Sequence, residues 1–228
     1  MNNSHDAQFA GFGKSLIAEN LPHLQGMQRR QRRAAETRVR LFRCALQLFA
    51  ERGFPNVTVE DITEAADVGK GTFFNYFESK DHVLGVMAEI QLGKVVEARA
   101  LAADGKQTIH SVLHHLFLRA AEEPGRSPDL ARTMISSFLA SEGVRRIIEH
   151  NMQEGRTMVA QIVAAGQKRG ELDPELVKEK VAIQLLQTFM GTVLFWSLHE
   201  EPALNIWMED SFQHFWRSIA VSDKEKGL

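Results

Sequence analysis

The chain is poor in the residues that staple, catalyse or export. Its 228 residues include one cysteine, Cys44, so no disulfide can form within it, and a reducing cytoplasm is the expected setting. Cys44 falls beside the apolar face of a helical segment, where a small buried hydrophobe is expected rather than a redox sensor. G-x-S-x-G, the P-loop and the Gly-rich dinucleotide fingerprint are all missing. His199 and Glu200 begin a zinc-protease pattern, but its second histidine falls on Ala203. His110 and His114 are four apart, yet no carboxylate or cysteine accompanies them at ligand spacing. No catalytic residues, metal or cofactor are therefore expected. The first residues contain no apolar stretch of the kind an export signal needs. The longest apolar run, from Val181 to Leu198, is interrupted by Gln184, Gln187, Thr188, Thr192 and Ser197. It suits a helix buried between proteins better than one in lipid, so no membrane association is expected.

Charge of one sign is also scarce, since 27 Lys and Arg face 29 Asp and Glu, a formal charge of −2. The distribution is uneven. Between Gly26 and Lys80 there are ten Lys or Arg against seven Asp or Glu, and the acidic excess lies elsewhere. A positive region on an acidic body suits a site-specific DNA binder, because local charge sets phosphate affinity.

What the chain does have is helical periodicity, which predicts an all-α fold, and its centre is TVEDITEAADVGKGTFFNYFESK, from Thr58 to Lys80. Thr58 with Asp61 resembles a capping box, and Val57 with Ile62 can form the hydrophobic staple that fixes the entry into a helix. Ile62, Ala65 and Ala66 give that helix an apolar face. Asp67 stands at the turn, where a short polar side chain tolerates the left-handed backbone. Val68 is placed to plug the gap between helices. A second helix is expected from Lys70 to Phe77, with Phe73 and Phe77 inward and Thr72, Asn75 and Tyr76 outward. This is a helix-turn-helix plan, whose second helix offers its first residues to base edges in the major groove. In that setting Asn75 can pair with adenine, and Thr72 can meet a thymine methyl or a phosphate.

With LFRCALQLFAERGF from Leu41 to Phe54 before it and KGTFFNYFESKDHVL across and after it, the region from about Thr37 to Met87 closely resembles the TetR family of transcriptional regulators. The resemblance implies that Thr72, Phe74, Asn75, Tyr76 and Lys80 meet DNA, and Thr58, Lys70 and Gly71 complete the expected contact set. Three positions depart from the family pattern. Asp67 stands where Gly is common, Gly69 where Ser often caps the recognition helix, and Phe74 where Tyr would supply a phosphate hydroxyl. Gly at an N-cap costs only about a few tenths of a kcal/mol relative to Ser. Tyr76, the sole tyrosine, is left as the aromatic hydroxyl of this region.

Three regions are expected: a mobile basic extension over 1–33, a helix-turn-helix domain over 34–80, and a helical ligand-binding and dimerisation domain over 81–228. Arg29, Arg30, Arg32 and Arg33 precede the first helix either as an arm that follows phosphates or enters a minor groove, or as a solvated extension of that helix. The body is expected to continue from Lys80 to about Ala100, from Thr108 to Ala121, from Leu130 to Glu142, from Val144 to Gly170, from Leu176 to His199 and from Asn205 to Val221. The resemblance implies that the last two of these helices form a homodimer interface, and their aromatic and Met content fits that role.

It also implies a cavity within the body. Phe117, Met134, Phe138, Met158, Gln161 and Phe189 are the expected lining, with His110 or His114 placed to orient a polar group. No acidic residue occupies an obviously inward position, so the expected effector is neutral or weakly acidic and mainly apolar. The function expected is thus a cytoplasmic homodimeric repressor that leaves double-stranded operator DNA when the effector binds. A helical protein-binding module and an architectural DNA binder without a ligand are the alternatives.

Overall fold

In a computed structural model, residues 29–199 and 201–221 are described, and among them the chain forms nine α-helices. They are α1 (Arg29–Arg52), α2 (Val59–Ala65), α3 (Lys70–Phe74), α4 (Lys80–Asp104), α5 (Ile109–Ala120), α6 (Pro128–Ala140), α7 (Glu142–Lys168), α8 (Lys178–His199) and α9 (Leu204–Ile219). Short 3-10 turns occupy Phe54–Asn56 and Pro124–Arg126, and a lone antiparallel bridge joins Leu172 to Ala220. The all-α class is as expected.

Among the helix boundaries, the first helix follows one of the two readings its sequence left open, and the recognition helix is shorter than expected. The first helix starts at Arg29, so the backbone of the arginine cluster continues that helix. The side chains of Arg29, Arg30 and Arg32, and the whole of 1–28, lie outside the described residues. The recognition helix ends at Phe74 with Asn75 as its C-cap, and the chain then turns instead of remaining helical to Phe77. The turn still buries Phe73 and Phe77, whose ring centroids are 5.3 Å apart.

The chain divides into two compact units. One comprises the described residues up to Met87 with Arg132–Ile147, and the other comprises Ala88–Ala131 with the described residues from Ile148 onward. In the first, α1 buries Leu41, Phe42, Ala45, Leu46, Leu48 and Phe49, and Val57, Ile62, Ala66, Phe73 and Phe77 join the same core. Burying each of the larger side chains is worth about 1.5–3 kcal/mol. That supply lets a helix of one and a half turns hold its shape, since most helical stability in proteins comes from packing. The Thr133 hydroxyl donates to the Phe49 carbonyl at 3.1 Å. A Cβ at Gly85 would meet Ile147 Cγ2 at 2.8 Å, so a larger residue there would force that side chain to move.

In the second unit α5 turns Ile109, Val112, Leu113, Leu116 and Phe117 inward, as its periodicity predicts. On α8 and α9, Val181, Leu185, Val193, Trp196, Met208, Phe212 and Phe215 are buried, and the Thr192 and Ser211 hydroxyls bond at 2.9 Å. By length and composition alone α8 could cross a membrane.

The expectation that no acidic residue points inward is corrected here. Glu123 is 4% exposed and receives the equally buried Lys94 ammonium at 2.6 Å. The Arg119 carbonyl at 2.6 Å gives the ammonium a further acceptor. Buried charges persist only when paired and hydrogen-bonded in this way.

Candidate nucleic-acid interface

The helix-turn-helix is built from its caps inward. Asp61 N–H donates to Thr58 Oγ1 at 3.1 Å, and Thr58 N–H donates back to Asp61 Oδ2 at 2.7 Å, so the capping box is complete. The Thr58 hydroxyl, which donates to the same Asp61 oxygen at 2.5 Å, and then the Thr58 N–H hold the Asp61 carboxyl below the usual carboxylate range, and the charge of Arg52 adds to the effect. Val57 and Ile62, the residues of the staple, are fully buried. Asp67 has φ 49°, the left-handed conformation anticipated at the turn. Val68 N–H closes the turn on the Thr63 carbonyl at 3.0 Å. Ala65 is exposed rather than inward, and its carbonyl accepts the Cys44 thiol at 3.5 Å. Cys44 is half-buried, and burial raises its thiol pKa above the ordinary value.

On the short α3 the expected contact residues share one accessible region. Lys70, Gly71, Phe74 and Asn75 are exposed, while Thr72 and Tyr76 are half-buried. Phe74 is 50% exposed and stands edge-on to the buried Phe73, with ring centroids 5.5 Å apart. Nothing lies within 4 Å of where a Cβ would stand on Gly71, so the backbone there is open to close approach. The side chain of Thr58 is engaged with Asp61, although the residue remains exposed.

Lys80 takes a place that its sequence position did not suggest. Its ammonium donates to the carbonyls of Phe54 and Val57, each at 2.9 Å, and to that of Pro55 at 3.4 Å. It also lies 4.5 Å from the centroid of the Phe54 ring. Three N–H donors thus face three carbonyl oxygens, which ties the start of α4 to the 3-10 turn.

Glu60 was missed from the sequence. It stands in the first turn of α2, where an anion is favoured by the helix dipole, and its carboxylate accepts from Lys70 Nζ. That bond holds the Glu60 carboxyl below the usual range. Ten residues separate the two, a spacing no helical period links, and only the Asp67 turn brings them together.

The expected ligand-lining residues fall into different places. Phe117 and Phe189 meet edge to face in the second unit, with centroids 5.7 Å apart, and Met158 is half-buried in that unit. Met134 and Phe138 are half-buried in the first unit. Gln161 lies on α7. It is exposed, and its Oε1 accepts from Arg99 Nη1 at 3.4 Å. His110 stacks on His114 and lies edge-on to Trp216, while His114 Nε2 is 2.7 Å from Glu209 Oε2. Lys94, Ala98, Val112 and Leu116 border a cavity of about 10 Å³, room for one water at most.

A compact core carrying a capped helix, a left-handed turn and a short helix with an exposed polar face defines a helix-turn-helix protein of the DNA-binding class. Residues 41–87 match the family model described as bacterial regulatory proteins, tetR family. The regulator TcmR of Streptomyces glaucescens is 48% identical over 54 residues, a stretch that spans only 24% of either chain. The repressor DhaR of Mycobacterium sp. strain GP1 is 27% identical over 65% of this chain and 76% of its own. Among solved structures, Thermus thermophilus FadR, a TetR-family repressor in complex with lauroyl-CoA, is 29% identical. It superposes with a TM-score of 0.59 over 82% of this chain and 96% of its own. Residues 41–87 thus carry the DNA-binding region of the tetR family of bacterial regulatory proteins.

Proposed function

We propose that the protein is a cytoplasmic, homodimeric repressor that binds a palindromic operator and leaves it when a mainly apolar effector fills the body. The observation that carries the DNA-binding part is the open face of α3. Lys70, Gly71, Phe74 and Asn75 are exposed side by side, above two phenylalanines that fix the helix from beneath. Asn75 is assigned to a base edge, Thr72 and Phe74 to thymine methyls or the adjoining backbone, and Tyr76 and Thr58 to phosphates. Gly71 admits the DNA backbone closely. Lys80 acts indirectly, by holding the 3-10 turn that leads into α2.

The domain plan proposed is a helix-turn-helix headpiece over 34–80 followed by a ligand-binding and dimerisation body over 81–228. For the effector, Phe117, Met158 and Phe189 supply adaptable apolar walls in the second unit. The likeness to Thermus FadR favours an acyl thioester among the neutral or weakly acidic apolar compounds. Release requires the effector to prefer the DNA-free state. A coupling of about 1–3 kcal/mol changes operator affinity about 5–150-fold, and DNA weakens the effector by the same factor. Calorimetric titration with lauroyl-CoA, with and without an operator found by selection, tests this. Binding weakened by DNA supports release, whereas equal affinities overturn it and leave an architectural DNA binder.

A further inference from the structure

We propose that Glu60 and Lys70 act as one unit that reads a G·C base pair, the ammonium donating to guanine O6 or N7 and the carboxylate accepting from cytosine N4–H. The inference rests on the DNA-binding reading above and adds to it a residue and a base.

The pair joins the first turn of α2 to the first residue of α3, across the turn at Asp67. Both side chains remain more than half exposed, 56% for Lys70 and 63% for Glu60, so their outer edges are open to a partner. Position favours a base edge, because a recognition helix directs its N-terminal residues into the major groove. The neighbouring carboxylate cannot substitute. Asp61 is occupied by both the backbone and the hydroxyl of Thr58 and by Arg52 Nη1 at 3.3 Å.

Chemistry then selects the base pair. In the major groove guanine presents two acceptors, and beside them cytosine presents a donor. A cation held against an anion is the matching pattern. At A·T the pyrimidine position carries O4, an acceptor that repels a carboxylate, and a methyl group. A carboxylate at a DNA-facing position is otherwise unfavourable, since it lies among phosphates. Glu60 therefore penalises every sequence that offers it no donor, and this repulsion is a source of specificity in its own right. The same bond also lowers the attraction of Lys70 for phosphates on random DNA.

The test uses the full-length protein, the Glu60→Gln and Lys70→Gln variants, and selection from a randomised duplex library followed by affinity measurement. Wild type should enrich a palindrome with an invariant G·C pair in each half-site. Exchanging that pair for A·T should weaken binding roughly 5–150-fold. Glu60→Gln, whose amide can donate as well as accept, should lose most of this discrimination at that position and keep it elsewhere. Lys70→Gln should lose guanine preference at the same pair. An unchanged palindrome for Glu60→Gln overturns the proposal. So does a uniform gain in affinity for all duplexes, which would make the pair a charge mask only. If folded wild type enriches no sequence at all, the DNA-binding reading itself has failed, a result distinct from either of these.

Discussion

The Lys80 ammonium lies 4.5 Å from the centroid of the Phe54 ring and donates to the carbonyl of the same residue at 2.9 Å. One side chain thereby ties the first turn of α4 to the 3-10 turn that precedes α2. Lys80→Met keeps the stem but removes the ammonium donor from three carbonyls. Hydrogen bonds to a charged group contribute about 1.5–3 kcal/mol each when they are well made, so the variant should lose stability on that scale. Urea unfolding checks this. The salt dependence of DNA binding by the folded fraction should keep its slope, because no phosphate neutralisation is removed. A slope shallower by about one unit would return Lys80 to the phosphate backbone.

Asn75→Ala should act differently, on discrimination rather than on stability. Asn75 is exposed and its side chain supports no core. Loss of a base-edge contact should reduce the preference for operator over mismatched sites by about 1–3 kcal/mol. Fluorescence anisotropy on the selected operator and on single-pair variants measures it. Equal weakening on every duplex would reassign Asn75 to the backbone.

The headpiece was legible in the sequence because its determinants are local. A cap, its partner three residues on, a staple and a left-handed turn all lie between Val57 and Asp67, and each occurs where expected. The end of α3 was less legible, since Asn75 leaves the helix while the buried pair Phe73 and Phe77 keeps helical spacing. Non-local charge pairs were illegible. Glu60 meets Lys70 only through a turn, and Lys94 meets Glu123 only because α4 is packed against the end of α5. Gln161, a polar residue beside apolar ones on α7, is exposed and accepts from Arg99, a partner 62 residues away that spacing does not reveal.

The Lys94–Glu123 pair should be costly to break and inexpensive to replace. Lys94→Met leaves Glu123 buried without its cation and should destabilise the protein by about 3–5 kcal/mol. The double variant Lys94→Met with Glu123→Leu should recover most of the loss, since apolar residues of similar volume can replace such a pair. Chemical denaturation of the two single variants and the double one closes the cycle. No recovery in the double variant would mean that the pair's hydrogen bonds to Gln91 and the Arg119 carbonyl matter more than its charges.

Burial, and then the neighbouring charge of His114, lowers the His110 pKa below the ordinary histidine value, and Glu209 only partly opposes them. A histidine with a lowered folded-state pKa stabilises the fold fully above its unfolded pKa of about 6.5. The contribution is lost as pH falls through the folded value, because the unfolded chain then binds more protons. Thermal melts between about pH 7.5 and pH 5 should therefore fall less steeply in His110→Gln than in wild type. An equal slope would place the acid sensitivity elsewhere, with the His114–Glu209 contact as the next group to test.

The last prediction concerns assembly. Phe195, Leu198 and Ile206 are 58%, 62% and 55% exposed on α8 and α9, and Leu194 and Ile183 add to the apolar surface of α8. Exposed apolar area gathered on two helices marks an interaction surface. A second copy is its proposed occupant, because two headpieces related by a two-fold axis read a palindrome that one cannot. Trp216 is a poor probe of this surface, since it packs 4.7 Å from His110 within its own chain. Phe195→Glu with Leu198→Glu is the better variant, and Leu139→Glu on α6, equally exposed at 68%, is the control. Light scattering should report twice the 25.7 kDa chain mass for wild type and the control. The double variant should report a single mass and bind half-operators no worse than before. A double variant that remains a dimer would move the interface away from this face.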